Sequence, residues 1–542
     1  MFWKMFVPVA LTAFVLGFPA AEIAVHGFNI SMWPATARTP EGWFVAMGRS
    51  FGVSALLIYR DMIFGQTQSL GAAGLPTFGA IIFGPLLALA ACFMPHYGPR
   101  RDPSATYGDA RWTTRRERKR MRIGLELGLD PDTGRPVRVT TESHLITVAP
   151  PRTGKTSGLL IPNLLVPDRT SWFGPSVVFD PKGEAYRAVA TRRRELGRTV
   201  RCLDPIGIVG GKDTWNPLAT IAPHDILYLQ RVARSLLPDF VGGETVYFQN
   251  RAIAAMVGAF LAAHHMKSPT PHNVSLLLSD VDKFQQALSP LQGAAAEAAK
   301  AILKMEPRGR DDILSTAAQG FSWCADERLQ HLTNKSTFAL SDLTGGDTDL
   351  FITLPTEDLK TLTPLLRWLL CDLFTAVRRQ RPQEPIVCFI DEAATLGRFD
   401  ELITAAGELP GYNMRLWTFW QDRSQIIRTY GNDGAKTLLN TADIVSYSDL
   451  ALIEPDEREF LSRAIGDYTL LEKAETHDEA KVKKVSASYK PTAVRLMTAD
   501  AVGQVAADSL IILPNSAHYP KRPMLLRKTR FDDPRFNPLR SN

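Results

Sequence analysis

Nine residues of this chain have the types and spacing to hold a phosphate chain. The run Leu145-Ile146-Thr147-Val148 leads into Ala149, Pro150, Pro151, Arg152, Thr153, Gly154, Lys155, Thr156 and Ser157. An apolar strand that empties into a tight loop ending Gly-Lys-Thr can cradle phosphates. Gly154 lets backbone N–H groups approach them, Lys155 reaches the β- and γ-phosphates of ATP, and Thr156 offers a hydroxyl to Mg2+. Ala149 stands where such loops usually place their first glycine. For the string taken alone, the competing account is a chance Gly-Lys-Thr helix start.

Two further places supply what a phosphate loop needs opposite its lysine. Pro385 opens Ile386-Val387-Cys388-Phe389-Ile390, a buried-strand run that ends in Asp391-Glu392. In such an arrangement Asp391 holds Mg2+ through water, and Glu392 orients and deprotonates the attacking water. The plainer account is a pair of acidic caps at a helix N-terminus. A third strand, Arg415-Leu416-Trp417-Thr418-Phe419-Trp420, ends in Gln421. Ligands of parallel sheets lie beyond the carboxyl ends of strands, so Gln421 can touch a γ-phosphate there and report hydrolysis. It reads equally as a surface glutamine after a strand.

The elements that must position these residues follow from pattern. From Val137 short apolar runs alternate with helical stretches, which is the signature of an α/β fold with a mostly parallel sheet. Val177-Val178-Phe179 ends in Asp180-Pro181-Lys182-Gly183-Glu184, and Thr199-Val200-Arg201-Cys202-Leu203 ends in Asp204-Pro205. Lys182 either adds positive charge near the nucleotide or merely starts a helix. Between Trp215-Asn216-Pro217 and Asp349-Leu350-Phe351-Ile352 the strand signal gives way to helical runs separated by Pro269, Pro271 and Pro307, which predicts an all-helical insertion. His264, His265 and His272 fall there without partners at metal-ligand spacing. Further strands are expected over residues 444–447, 510–513 and 524–529, and an exposed, charge-rich loop or helix over 472–490.

At 542 residues the chain calls for two or three structural units, and 45% hydrophobic residues describe a folded protein. The net charge of +6 fits contact with nucleic acid or anionic lipid and demonstrates neither. Five scattered cysteines argue for a reducing compartment and against a disulfide framework or zinc site.

Two apolar runs precede the loop. Residues 75–94 are apolar or small throughout, and residues 5–21 carry no charge. A bilayer core of roughly 30 Å needs about 20 such residues in a helix. The second run qualifies, and the first is read as an uncleaved anchor in preference to a signal peptide. Residues 50–59, between Arg49 and Arg60, are too short to span. Arginine and lysine crowd the chain after Met94, among them Arg115, Arg116, Arg118, Lys119, Arg120 and Arg122, which puts the large remainder in the cytoplasm. That cluster also has the charge to bind DNA; lipid headgroups are the plainer reading.

Taken in order, these motifs resemble a known family. The apolar hairpin, Gly108 to Trp112, the phosphate loop running into Leu159-Leu160-Ile161-Pro162-Asn163-Leu164-Leu165, and Asp180-Pro181-Lys182-Gly183-Glu184 resemble the TraG/TraD-like coupling proteins of type IV secretion and conjugation. The likeness continues through Trp215-Asn216-Pro217-Leu218, Asp391 to Gly397, Gln421 to Ile426 and Asp532-Asp533-Pro534-Arg535-Phe536. The resemblance implies a RecA-like P-loop ATPase domain with an all-helical insertion behind an N-terminal transmembrane helical hairpin. It implies a homohexamer at the bacterial inner membrane, multi-pass, with the ATPase domain cytoplasmic beneath the secretion channel components. ATP hydrolysis would drive export of relaxase-bound single-stranded DNA or effector proteins. Family roles fall on Lys155 and Thr156, on Asp391 and Glu392, and on Gln421. For the arginine that a neighbouring subunit inserts, Arg415 and Arg398 are candidates, against structural roles at a strand start and a helix end.

The expected layout is therefore a membrane anchor with a periplasmic loop over residues 1–99, a basic juxtamembrane segment over 100–136, a nucleotide-binding domain over 137–222 and 346–542, and a helical insertion over 223–345. Rival readings are an FtsK-like or HerA-like DNA translocase and a substrate receptor that uses nucleotide only to assemble.

Overall fold

The computed structural model describes residue 38 and residues 100–539, apart from 220–221, 223, 238–242, 451–454, 478–484 and 517. The anchor, hairpin and periplasmic loop expected over residues 1–99 lie outside the described residues, residue 38 excepted. Arg101–Leu470 with Pro491–Asn542 form one compact unit. Of the other, Met1–Arg100 with Leu471–Lys490, the described residues are 38, 100, 471–477 and 485–490.

The strands, in chain order, are β1 (Arg100–Arg101), β2 (Leu125–Leu129), β3 (Pro136–Val139), β4 (His144–Val148), β5 (Ser176–Phe179), β6 (Thr199–Leu203) and β7 (Thr348–Ile352). After them come β8 (Ile386–Ile390), β9 (Met414–Trp420), β10 (Ala442–Tyr447), β11 (Asp467–His477), β12 (Val485–Arg495), β13 (Ser509–Pro514) and β14 (Met524–Arg527). An eleven-stranded sheet runs β3-β2-β14-β13-β10-β4-β9-β8-β5-β7-β6. From β10 to β6 all neighbours are parallel, and from β10 out to β3 they are antiparallel. Strands β4, β7 and β8 are buried at every position, as parallel strands covered on both faces must be.

Two expectations are corrected. The sheet begins before Val137, because β2 lies inside the stretch read as a juxtamembrane segment. Its sequence, Leu-Glu-Leu-Gly-Leu, hid it: Glu126 is buried, and its pairing with Arg138 at 3.2 Å, with Arg535 and with the Thr529 hydroxyl makes that burial tolerable. Residues 467–477 and 485–495 are strands, not a loop or helix. Tyr468, Thr469, Val485, Tyr489 and Val494 favour a pleated surface more than the charge pattern suggested.

Helices fill the space between strands. The phosphate loop continues into a π-helical turn (Thr156–Leu160) and α1 (Ile161–Leu165), and β5 leads to α2 (Glu184–Glu195). Between β6 and β7 come α3 (Ile226–Leu236), α4 (Gly243–His265), α5 (Pro271–Ser279), α6 (Val281–Leu288), α7 (Ala294–Leu303), α8 (Pro307–Gln319) and α9 (Glu327–Asn334), with no strand among the described residues. Helix α4 is the core of this group. Its Ala252, Ala255, Met256, Ala259 and Phe260 are fully buried, and a side chain at Gly258 would come within 2.4 Å of Ala299 on α7. Among the described residues, Val246–His265 is also the one helix long and apolar enough to cross a membrane, yet more than half of it is buried in protein. Asn216 fastens the base of the group: its side-chain amide donates to the carbonyls of Pro269 (2.9 Å) and Asn334 (3.2 Å), and its side-chain oxygen accepts from Leu218 N–H. Beyond β7 lie α10 (Leu359–Arg379), α11 (Asp400–Glu408) and α12 (Arg423–Thr441).

His144 pins the first residue of β4. Its Nδ1 accepts from Leu416 N–H on β9 (2.8 Å), so the proton sits on Nε2, which faces the Ala406 carbonyl of α11 at 2.9 Å. Burial pushes its pKa down to about 4, so the folded state holds a neutral ring. A depressed histidine pKa adds stability that is complete above the unfolded value near 6.5 and is lost as pH falls toward 4. The stability difference between wild type and His144→Asn, measured by denaturant unfolding, should therefore shrink by on the order of 2 kcal/mol between pH 7.5 and 4.5. A constant difference across that range would contradict this account.

Candidate active site

Strand β4 delivers the loop to the carboxyl edge of the sheet. Ala149 is fully buried and its N–H donates to the Trp420 carbonyl at 2.9 Å, prolonging the β4–β9 ladder. Its φ is not positive; the left-handed positions are Arg152 (φ 65°) and Gly154 (φ 81°). An alanine therefore meets no backbone penalty where a glycine was expected. Thr153 Oγ1 closes the loop on the Pro150 carbonyl (2.8 Å), and Gly158 N–H donates to Gly154 O (2.7 Å).

Strand β8 delivers the carboxylates to the same edge. Thr156 Oγ1 donates to Asp391 Oδ2 at 2.7 Å across 235 residues of sequence. Glu392 sits in the left-handed region (φ 71°, ψ 55°), held there by a turn in which the N–H and hydroxyl of Thr395 donate to its carbonyl at 3.0 and 2.8 Å. A non-glycine residue in that region stores on the order of 1 kcal/mol of strain. The turn aims the carboxylate at β9, where Gln421 Nε2 donates to Glu392 Oε1 at 2.5 Å. Gln421 is fixed in its turn: its N–H donates to Gln425 Oε1 (3.0 Å), and Asp422 caps α12 by accepting from Gln425 N–H (2.7 Å).

The electrostatics are those of crowded carboxylates and lysines. Burial pulls Lys155 below the ordinary lysine value, while Glu392 and Asp391 hold it up and Lys182 pushes it down. Burial likewise raises Asp391 against the Thr156 hydroxyl and Lys155. Asp180, at the end of β5, is pushed up to about 6 by burial and then by the neighbouring carboxylates of Asp391 and Glu184, although Tyr186 N–H donates to it. The structure thus brings Lys155, Thr156, Asp391, Glu392 and Gln421 together, with Lys182 nearby.

The two arginine candidates differ. Arg415 starts β9, at the end away from Gln421, and its guanidinium is engaged by the Thr141 carbonyl (3.1 Å) and Asn413 Oδ1 (2.7 Å). Arg398 is exposed beside Asp400 (3.2 Å). Sequence reasoning missed the return of the chain's end to the loop. Lys528, just past β14, donates to the Thr153 carbonyl (3.2 Å) and pairs with Asp449, and a side chain at Gly158 would meet the Thr529 carbonyl at 2.9 Å. No local pattern announces it, because antiparallel pairing with β13 and β2 alone brings β14 there.

Residues 105–537 match the family model described as type IV secretory system conjugative DNA transfer. The chain belongs to that family. Protein VirD4 of Rhizobium radiobacter is 23% identical over 404 residues, covering 72% of this chain and 57% of its own length. Conjugal transfer protein TraG of Agrobacterium fabrum is 26% identical over 348 residues, covering 60% and 51%. The chain thus spans a little over half the length of these curated relatives. Among solved structures, the conjugative coupling protein TrwBdeltaN70 in complex with sulphate aligns with a TM-score of 0.60 at 16% identity, over 81% of this chain and 98% of that one. TrwB in complex with ADP and Mg2+ aligns at 0.59. This chain thus shares the α/β fold of TrwB, with a mixed, largely parallel sheet.

Because an ionised Asp391 costs folding energy, Asp391→Asn keeps an acceptor for Thr156 and removes the cost. We expect the thermal midpoint of the ligand-free protein to rise by roughly 1–3 °C at pH 8, with the gain fading toward pH 4. A lower midpoint at pH 8 would show that the carboxylate is a net stabiliser.

Proposed function

We propose that this chain is a membrane-anchored, RecA-like ATPase that couples ATP hydrolysis to substrate transfer through a type IV secretion system. The observation that carries the reading is the Thr156–Asp391 hydrogen bond, with Lys155 on one side and the Glu392–Gln421 pair on the other, in a chain whose residues 105–537 match the conjugative transfer family. The TrwB structures with ADP and Mg2+, and with a non-hydrolysable ATP analogue, support it on the nucleotide side.

The donor set fits Mg2+–ATP. Mg2+ takes hard oxygen ligands and is usually held by one or two carboxylates together with phosphates, which describes the Thr156 hydroxyl and Asp391. Bound there, the ion would neutralise charge developing on the phosphates. Among the described residues no group of three or more His, Cys, Asp or Glu forms a cage of its own. The backbone from Ala149 to Ser157 wraps the phosphates, and Lys155 supplies charge at their outer end. Glu392 orients the attacking water and accepts its proton. Gln421, bonded to Glu392, feels the γ-phosphate and carries its loss into α12.

The rest of the reading follows the family. Residues 1–99 anchor the chain in the bacterial inner membrane as a multi-pass hairpin, with the nucleotide-binding body (137–222 and 346–542) and the helical insertion (223–345) in the cytoplasm. Six copies form a ring beneath the channel and receive relaxase-bound single-stranded DNA, effector proteins or both. Arg398, exposed and paired with Asp400, is the arginine offered to the neighbouring site, since Arg415 sits at the end of β9 away from Gln421. Such a residue contributes about 10³ to 10⁵ in rate, so turnover depends on assembly.

Specific ATPase activity should therefore rise with protein concentration and with added single-stranded DNA, and fall to background in Lys155→Ala and Glu392→Gln. A concentration-independent rate would remove the trans arginine. Substrate transfer should stop in Glu392→Gln; continued transfer would make the chain a receptor that uses nucleotide only to assemble.

A further inference from the structure

On the β2–β3 side of the sheet lies a cavity of about 1040 Å3. Its walls are the one-turn helix Arg115–Arg118, the segment that follows it, and the turn joining β2 to β3. The helix is set by a capping box between Thr114 and Glu117, and Arg111 pairs with Glu117 at 2.7 Å.

The cations here fall into two groups. Arg118 and Arg138 are buried and matched: Arg118 pairs with Asp130 (3.0 Å) and Asp132 (2.6 Å), and Arg138 with Glu126 (3.2 Å) and Asp168 (2.8 Å). Those pairs use up the carboxylates and make the back of the cavity rigid. Arg115, Arg116, Lys119, Arg122 and Arg135 are exposed around it, and among the described residues no carboxylate lies within ion-pair distance of any of them. Arg138, which also lines the cavity, keeps a buried Nε without a hydrogen-bond partner. The charge left over is positive and is displayed by planar guanidiniums, which suit phosphate oxygens.

We propose that this cavity docks the phosphate headgroups of an anionic lipid leaflet. Three observations favour a lipid surface over a single-stranded nucleic acid. Among the described residues no aromatic side chain lines the cavity, so bases find no stacking platform there. Ile123, beside Arg122, is 65% exposed, which sets an apolar side chain next to the cations as interfacial segments do. The apolar run over residues 75–94 ends 21 residues before Arg115, and the excess of positive charge after it marks the cytoplasmic leaflet, where acidic lipids attract basic segments. The inference rests on the membrane anchor proposed above.

The test uses the full chain in nanodiscs of phosphatidylcholine with and without phosphatidylglycerol, read by hydrogen exchange of the amides of residues 115–123 and 130–137. With phosphatidylglycerol, exchange should slow about fivefold or more, since each basic residue near an anionic surface adds to the attraction. The protection should vanish in a combined Arg115→Glu, Arg116→Glu, Lys119→Glu, Arg122→Glu variant and weaken in Arg135→Glu, which lies on a separate turn. Equal exchange in the two lipids overturns the proposal and leaves the anchor standing. Failure to enter either nanodisc overturns both. Equal protection by inorganic phosphate in phosphatidylcholine discs would make this a free-phosphate site, and protection by an oligo-dT strand would make it a nucleic-acid site; either result overturns the lipid assignment.

Discussion

The parallel pairing of β4, β9, β8 and β5 is the constraint on which the rest depends. Val148 lies opposite Trp420, Ile390 opposite Thr418, and Phe179 opposite Ile390. Four strands pointing the same way must end at one edge. Thr156, Gln421, Asp391 and Asp180 follow those ends, so residues far apart in sequence meet within side-chain reach. Adjacent strands are about 4.8 Å apart, which places β4 and β8 about 10 Å apart with β9 between them. The extra loop length beyond each strand closes that distance and lets the Thr156 hydroxyl meet Asp391. A one-residue slip would turn every side chain of a strand to the other face and dissolve the arrangement.

Holding that register falls to polar groups buried away from the edge. At the other end of the strands, Arg193 and Asp349 form a fully buried pair (2.7 Å), and Asp349 also accepts from the N–H and hydroxyl of Ser176, tying α2, β7 and β5. Removing one partner of such a pair typically costs about 3–5 kcal/mol. Glu126 plays the same part behind the phosphate loop. It gathers Arg138, Arg535 and the Thr529 hydroxyl, while Asn163 of α1 bonds the Glu126 backbone in both directions. The Asp-Asp-Pro-Arg-Phe segment near the end of the chain is thereby explained as a clamp. Arg535 reaches Glu126 and lies over Phe536, and Thr529 backs onto Gly158.

What was legible in the sequence follows from the same physics. Strands covered on both faces are unbroken apolar runs, so β4, β5, β8 and β9 could be read with their terminal residues. Helices of the insertion announce themselves by proline starts, as at α5 and α8. Long-range charge compensation was not legible. Glu126 and Gly128 hid β2 within the stretch read as a basic juxtamembrane segment, since their partners lie in β3, β14 and the final turn. The left-handed backbone of Glu392 carries no signature either. Glutamate has no preference for it, and only the Thr395 turn and the Gln421 bond hold it. Ala149 could be marked as a departure from the usual loop but not explained, because the answer lies in the sign of its φ.

Two clusters of charge in the described structure are unbalanced, and they have opposite characters. At the sheet edge three carboxylates, Asp180, Asp391 and Glu392, crowd around Lys155 and Lys182, and one acid is held protonated into the range near pH 6. Behind β2 and β3, five exposed cations surround two that are already matched. Around Glu126 and Asp349, by contrast, buried carboxylates and guanidiniums are paired with one another. A chain that spends so many contacts on neutralising its structural charges, and leaves strain in Glu392 and repulsion among its acids at one edge, is least stable where a ligand could repay it. The acidic edge is relieved by a ligand that brings its own cation, and the basic cavity by one that brings only phosphate. The two imbalances therefore call for two different ligands, and neither surface can substitute for the other.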